Sequence, residues 1–219
     1  MTRYAGIDPG LSGAIALMSH SHRTGHKVHE CLDMPVMKEQ LTDRGKVRKE
    51  PDFDEMIELF FKLKRFNPGF VMLERVWGQI DDSAQTAFSL GGSFKLLRGL
   101  LHTQGFAHAE AGREAYYLTA PAQWKRWKPY QKWGLWGAGD DSKAIAIDMF
   151  NGIFPGDNTE LLCPLRKGST TRRNKPADGR ADAALIGLFG ACELMGLPLP
   201  KTLEPERALV GADGRCNLF

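Results

Sequence analysis

Apolar positions in the first 33 residues fall into three short runs. Residues 3–8 read as a strand that stops at Asp8-Pro9-Gly10, and residues 11–18 as a second with Ala14-Ile15-Ala16-Leu17 at its centre. Gly10, Ser12 and Gly13 are the turn residues that make the pair a hairpin. Residues 26–33 predict a third strand. The stretch 34–50 is polar and charged, with Lys38, Arg44, Lys46, Arg48 and Lys49, and reads as a loop. Helical spacing follows: Phe53, Met56, Ile57, Phe60 and Leu63 form one stripe behind an Asp52 N-cap, with Glu55 three residues on. Pro68-Gly69 ends that helix. Phe70-Val71-Met72-Leu73, closing on Glu74, reads as a buried central strand.

Residues 83–104 predict a long helix. Its central Gly91-Gly92 costs about 1 kcal/mol per glycine relative to alanine, which a close backbone approach by another helix or a ligand explains. A strand over 115–119, a short helix opened by Pro121, an irregular stretch over 128–139 and a helix over 140–150 come next. A basic loop over 157–177 leads to a last helix over 178–195. The order β-β-β-α-β-α-β-α-α predicts an α/β domain whose sheet begins antiparallel and continues with βαβ units. We place one domain over residues 1–196 and a proline- and charge-rich tail over 197–219.

A chain of 219 residues, 42% hydrophobic, can bury a full core of its own. It has no apolar run of the roughly 18 residues a bilayer span needs, and its N-terminus lacks a signal-peptide pattern. Cys31, Cys163, Cys192 and Cys216 are scattered without a C-x-x-C pair, which argues against a disulfide framework or a zinc site and for an intracellular protein. His20, His22, His26 and His29 lie around a presumed hairpin turn and read as solvated loop residues, with a transition-metal site as the alternative. The net charge of +3 says less than its distribution. Arg166, Lys167, Arg172, Arg173, Lys175 and Arg180 face one acid, Asp178, in that stretch, and Trp124-Lys125-Arg126-Trp127-Lys128 interleaves bases with aromatics. Both patterns suit a polyanion.

Four acids could carry chemistry. Asp8 ends the first strand before a glycine-bearing turn, and Glu74 closes an otherwise apolar strand, where its burial has to be compensated. Asp178 and Asp182 stand one helical turn apart, on one face. Each also has an ordinary role: turn capping for Asp8, pairing with Arg75 or another base for Glu74, N-capping for Asp178 and a first-turn position for Asp182. Converging at one end of a sheet, they would form an all-oxygen cluster suited to Mg²⁺ or Mn²⁺. Two such ions about 4 Å apart can activate water and stabilise a leaving oxygen in phosphodiester cleavage.

Five segments carry a resemblance. Gly6-Ile7-Asp8-Pro9-Gly10 through Ala14, Leu73-Glu74-Arg75-Val76-Trp77, Pro121-Ala122-Gln123-Trp124-Lys125, Ser142-Lys143 ahead of Phe154-Pro155, and Asp178-Gly179-Arg180-Ala181-Asp182-Ala183-Ala184-Leu185 resemble the RuvC family of Holliday junction resolvases, over about residues 3–195. The pattern looks most like the phage and organelle branch. The resemblance implies an α/β, RNase H-like mixed sheet of about five strands flanked by helices. It implies a homodimer that nicks four-way DNA junctions in pairs, with two Mg²⁺ (or Mn²⁺) ions per active site, leaving 5′-phosphate and 3′-hydroxyl ends. The metal-binding acids would be Asp8, Glu74, Asp178 and Asp182, and Lys143 would lie near the scissile phosphate. Trp77 would stack at the junction centre. Arg75, Gln79, Lys125, Lys128, Lys167, Arg172, Arg173 and Lys175 complete the expected nucleic-acid contacts. The last two acids are four apart where bacterial members often have three, and the tryptophan-rich stretch Trp124 to Trp136 is longer than usual. A cytoplasmic setting, in a nucleoid, a phage-infected cell or an organelle, and no membrane partner are expected.

Other readings remain. A nuclease of the same fold could act on RNA-containing substrates, and a non-catalytic module could bind junctions without cutting. Asp8-Pro9-Gly10-Leu11-Ser12-Gly13 also resembles the first phosphate loop of the actin–hexokinase superfamily, but the second domain and second loop of that architecture are missing.

Overall fold

The computed structural model describes residues 1–40, 47–76, 84–108, 115–135, 141–157 and 177–203. Strands β1 (Thr2–Ile7), β2 (Ala14–Ser21) and β3 (Gly25–Asp33) form an antiparallel meander. Helix α1 (Phe53–Phe66), strand β6 (Phe70–Glu74), helix α2 (Ala84–Thr103), the short edge strand β7 (Ala107–His108) and strand β8 (Ala115–Thr119) follow. The main sheet has the order β3-β2-β1-β6-β8-β7, with β6 parallel to β1 and β8 parallel to β6. Helices α3 (Pro121–Lys125), α4 (Ser142–Ile153) and α5 (Asp178–Glu193) complete the described elements.

The central strands are apolar because both of their faces are covered. Alternate residues of β1 enter two cores. Ala5 and Ile7 join Met56, Phe60, Leu63 and Leu97 beneath α1 and α2. Tyr4, with Ala14, Ala16 and Met18 of β2, meets Ala181, Ala183 and Ala184 of α5 on the other side. Here α5 comes within backbone contact of the sheet. A Cβ added at Gly6 would lie 2.0 Å from the Ala183 carbonyl oxygen and 2.4 Å from the Gly187 nitrogen. One at Gly179 would lie 2.2 Å from the Ser12 carbonyl oxygen. Only glycine fits at either position.

Several expectations change. Within the expected loop, Val36–Gln40 (β4) and Val47–Pro51 (β5) pair as a separate antiparallel ribbon, while residues 41–46 lie outside the described residues. Asp52 does cap α1, its Oδ1 accepting the Glu55 N–H at 3.2 Å. However, the helix turns Met56, Leu59, Phe60 and Leu63 inward, and leaves Phe53 and Ile57 at 56% and 41% exposure. Among the described residues, Gly91 and Gly92 meet no close neighbour, since nothing lies within 4 Å of a Cβ at either. The tryptophan-rich stretch is part of the core: Trp124 is fully buried, Trp127 nearly so, and a 3₁₀ turn spans Lys128–Trp133.

His20 is buried and His26 half-buried, so these two are structural, whereas His22 and His29 are exposed as expected. His26 accepts the Tyr4 hydroxyl at Nδ1 (2.7 Å) and donates from Nε2 to the Pro198 carbonyl (2.6 Å), the neutral tautomer that satisfies both partners. Burial holds its pKa down at about 4. His29 bonds the Ser19 hydroxyl at 2.7 Å. Through Pro198, with Leu197 and Leu199 against the core and Leu203 buried, residues 197–203 pack on the domain. Cys31 and Cys192 carry reduced thiols, and the Cys31 Sγ donates to the Arg180 carbonyl at 4.0 Å. Among the described residues, no helix is long and apolar enough to cross a membrane.

The α5 contact yields a direct test. Gly6→Ala should destabilise the protein by about 3 kcal/mol or more, because backbone atoms cannot move aside for the new methyl. Gly69→Ala, whose Cβ would make an ordinary 3.5 Å contact, should be near neutral. Thermal unfolding of the two variants checks this; equal midpoints would contradict the packing.

Candidate active site

Four carboxylates arrive at one end of the main sheet. Asp8 directly follows β1. Its N–H donates to the Ala14 carbonyl (3.0 Å), and its Oδ1 accepts the Gly10 N–H (3.1 Å), so the turn to β2 fixes both backbone and side chain. Gly13 closes this turn, since a Cβ there would sit 2.2 Å from the Asp8 carbonyl oxygen. Glu74 ends β6, the parallel neighbour of β1, and the Ile7–Leu73 register brings the two acids to adjacent strand ends. Asp178 and Asp182 lie on the first turns of α5, which Gly179 presses onto the same turn at Ser12.

The four share an electrostatic field. Burial, then the Glu74 charge, raises the Asp8 pKa from 3.8 to about 7. Burial, then Asp8, raises Asp182 from 3.8 to about 8, with Glu74 and Asp178 adding to it. Glu74 is raised chiefly by burial. These are desolvation and like-charge effects at a group of acids that lacks enough positive charge. The Lys125 charge lowers Asp8, Glu74 and Asp182 together, partly offsetting these effects. Lys143 pairs with Asp178 at 3.2 Å from a largely exposed side chain.

Two residues outside the expected set organise the site. The Trp124 indole N–H donates to Glu74 Oε1 at 2.8 Å, fixing that carboxylate from a fully buried ring. Trp124 stays in place because α3 is tied to the end of β8: the Gln123 Oε1 accepts the Ala120 N–H at 2.8 Å. Its signal was the Pro121-Ala122-Gln123-Trp124 segment, although the flanking bases drew attention to DNA instead. Arg180, read above as part of a basic stretch, is 4% exposed. Its Nε and Nη2 donate to both oxygens of Asp33 at 2.5 and 2.9 Å. This bidentate pair fastens the start of α5 to the end of β3. The chemical alternation Asp-x-Arg-x-Asp therefore divides one helical turn between outward acids and an inward anchor.

Arg75 follows β6 with its N–H on the Thr119 carbonyl (2.7 Å), and its side chain is exposed, as is that of Lys128. Trp77, Gln79, Lys167, Arg172, Arg173 and Lys175 lie outside the described residues. Among the described residues, no three acids, histidines or cysteines form a finished metal-ligand set. The donor chemistry nevertheless fits a hard divalent cation: carboxylate oxygens only, crowded and under-neutralised.

The mixed sheet, antiparallel at β3-β2-β1 and parallel beyond, with helices on both faces, is an RNase H-like α/β fold. No family model and no curated protein matches the chain. Solved structures similar to it include Thermus thermophilus RuvC, at 20% identity over 91% of this chain and 99% of that one, TM-score 0.47. T. thermophilus RuvC in complex with a Holliday junction substrate is similar at 16% identity over the same shares, TM-score 0.48. Both likenesses are distant, and the chemistry of the site rests on its own side chains.

The raised carboxyl pKa values fix the sign of a pH effect. Between about pH 4 and pH 8 the native protein binds more protons than the unfolded chain, because Asp8 and Asp182 titrate near 7 and 8 instead of 3.8. Metal-free protein should therefore lose stability as the pH rises through that window. Asp182→Asn should raise the melting midpoint in EDTA by roughly 3–6 °C at pH 8 and leave it unchanged at pH 4. An identical pH profile for both proteins would rule out the shared field.

Proposed function

We propose that this protein is a structure-selective DNA endonuclease that resolves four-way junctions by paired, divalent-metal-dependent phosphodiester cleavage. What supports the reading is that Asp8, Glu74 and the Asp178/Asp182 pair reach one sheet end on three separately braced elements. Two Mg²⁺ or Mn²⁺ ions held by these four acids would supply an activated water and neutralise the leaving oxygen. The chain's own residues hold the acids in place. Gly10 N–H orients Asp8, the Trp124 indole orients Glu74, and Arg180 with Asp33 sets the angle from which Asp178 and Asp182 approach. Lys125 and Lys143 add positive charge where a phosphate enters. Exposed Arg75 and Lys128, with Trp77, Gln79, Lys167, Arg172, Arg173 and Lys175 contributed by the sequence, extend the nucleic-acid surface.

The decisive experiment compares a labelled four-way junction, a linear duplex and an RNA–DNA hybrid in Mg²⁺, Mn²⁺ and EDTA. Symmetric nicks in the junction with 5′-phosphate ends, lost in EDTA and reduced at least about 100-fold in Asp8→Asn, are expected. Preferential cutting of the hybrid, no cutting of any substrate, or full activity in Asp8→Asn would overturn the reading.

Paired nicks require two copies of the active site, and we place the contact on α2. Gly92 is exposed, and among the described residues nothing lies within 4 Å of the Cβ position at Gly91 or Gly92. A second copy at close range would account for this pair of helix-weakening residues. Gly92→Trp should fold normally, convert a species of twice 24.4 kDa to a monomer in light scattering, and abolish paired nicking. Retention of the dimer would place the interface elsewhere.

A further inference from the structure

Glu74 and Trp124 meet because two strands end together. Glu74 stands opposite Thr119 in the parallel β6–β8 register, and the Arg75 N–H donates to the Thr119 carbonyl (2.7 Å), so β6 and β8 stop side by side. Helix α3 opens just past Thr119, at Pro121, and carries Trp124 to the Glu74 carboxylate. The ring is held there. It is fully buried in the core it shares with α4 and α5, and the Trp127 N–H donates to the Trp124 carbonyl (3.1 Å). Its indole N–H therefore keeps Glu74 Oε1 turned toward the protein interior, at 2.8 Å. Asp8 is treated in the same way, its Oδ1 carrying the Gly10 N–H (3.1 Å). Each strand-end acid thus has one oxygen engaged by the protein itself and the other to offer a cation.

That division bears on which cation fits. Ca²⁺ takes roughly 6–8 oxygens at about 2.3–2.6 Å and readily chelates a carboxylate through both of its oxygens. Mg²⁺ demands a near-octahedral shell at about 2.0–2.1 Å and keeps several waters. An ion chelated by Glu74 would have to share Oε1 with a buried N–H, whose hydrogen bond is costly to leave unmade. An ion bound through a single oxygen meets no such competition. The indole therefore penalises the ion with the larger, more flexible shell. By fixing the plane of the carboxylate it also aims the remaining oxygen, as outer-shell partners do for the ligands they orient.

We infer that Trp124 is a positioning residue that selects Mg²⁺ over Ca²⁺ by confining Glu74 to one ligating oxygen. This rests on the metal-dependent nuclease reading above and adds to it the residue that discriminates between the two ions.

Mn²⁺ binding to the full-length protein without DNA, followed by electron paramagnetic resonance with Mg²⁺ and Ca²⁺ as competitors, gives both affinities free of any cleavage step. Trp124→Phe keeps an aromatic ring and removes the N–H. It should weaken Mg²⁺ about 10-fold or more and leave Ca²⁺ unchanged or tighter, so that the Ca²⁺-to-Mg²⁺ affinity ratio rises at least about 10-fold. Trp127→Phe removes another buried indole N–H, whose acceptor Glu193 lies outside the acid group, and should keep the wild-type ratio. Thermal unfolding reports that each variant is folded. Where Trp124→Phe does not fold, benzothienylalanine at position 124, which has the shape of tryptophan with sulfur in place of the N–H, makes the same comparison. Equal weakening of both ions, as a purely structural role would give, or an unchanged ratio in folded protein would overturn the selection by Trp124 and leave the nuclease reading intact. Wild-type protein that binds no divalent ion and cuts no junction would instead overturn the nuclease reading and this inference with it.

Discussion

Everything at the candidate site depends on one backbone-to-backbone contact, the seating of α5 on β1 and on the turn after it. Two elements can approach this closely only where side chains are absent. Gly6, Gly179 and Gly187 meet backbone of the facing element at distances that a Cβ would violate or crowd. The flanking Ala181, Ala183 and Ala184 keep the seam thin over its length. The approach costs backbone entropy at each glycine. In return, the first turn of α5 is brought to the strand ends of β1 and β6. A helix on larger side chains would sit several ångströms farther from the sheet, at the roughly 10 Å spacing of ordinary layers, and Asp182 would leave the field of Asp8.

That contact creates an electrostatic problem, which local bonds contain. Burial raises the proton affinity of Asp8, Glu74 and Asp182, with like-charge crowding adding to it at Asp8 and Asp182, so the site opposes its own assembly at neutral pH. The opposing force falls on the elements that hold the acids. The Arg180–Asp33 pair resists withdrawal of α5, the Trp124 indole resists rotation of Glu74, and the Gly10 N–H holds Asp8. A buried arginine with a bidentate partner is a poor source of net stability but a strong determinant of position, because leaving either charge unpaired is costly. Its placement between Asp178 and Asp182 joins anchor and load on a single turn.

Much of this was legible in the sequence where periodicity or motif order was strong. The first three strands, the Asp52 cap, β6 ending on Glu74 and the last helix with its two acids were all readable, because each coincides with a core pattern or a turn residue. The misreadings have a common cause: composition was taken to report environment. Residues 36–40 and 47–51 are mostly polar and read as irregular, yet they pair as a two-stranded ribbon. Trp124, Trp127 and Arg180 were counted with neighbouring bases as a DNA surface, and all three are buried. Phe53 and Ile57 fitted the helical stripe as well as Leu59 did, yet the actual face is rotated toward Leu59 and away from them. Spacing alone does not distinguish two apolar faces of one helix. Arg180 acts through Asp33, far away in sequence, and no local pattern announces such a contact, whereas Gln123 reaches back to the Ala120 N–H as the N3 residue of a capping arrangement.

The acids also set what must surround them. A DNA phosphate approaching Asp8, Glu74, Asp178 and Asp182 meets like charge, and at physiological salt remote bases are screened beyond about 8 Å. The overall charge of +3 is therefore irrelevant at the point of contact; only bases within that radius matter. Lys143 qualifies through its 3.2 Å pair with Asp178. Lys125 lowers three of the carboxylates, and its Nζ sits 5.2 Å from the centre of the Trp124 ring, an attraction that stabilises an ammonium over an indole. The same tryptophan thus holds the acid Glu74 by its edge and the base Lys125 by its face. Replacing it would disturb both signs of charge together, which makes α3, a helix of five residues, the element that sets the charge balance at the mouth of the site.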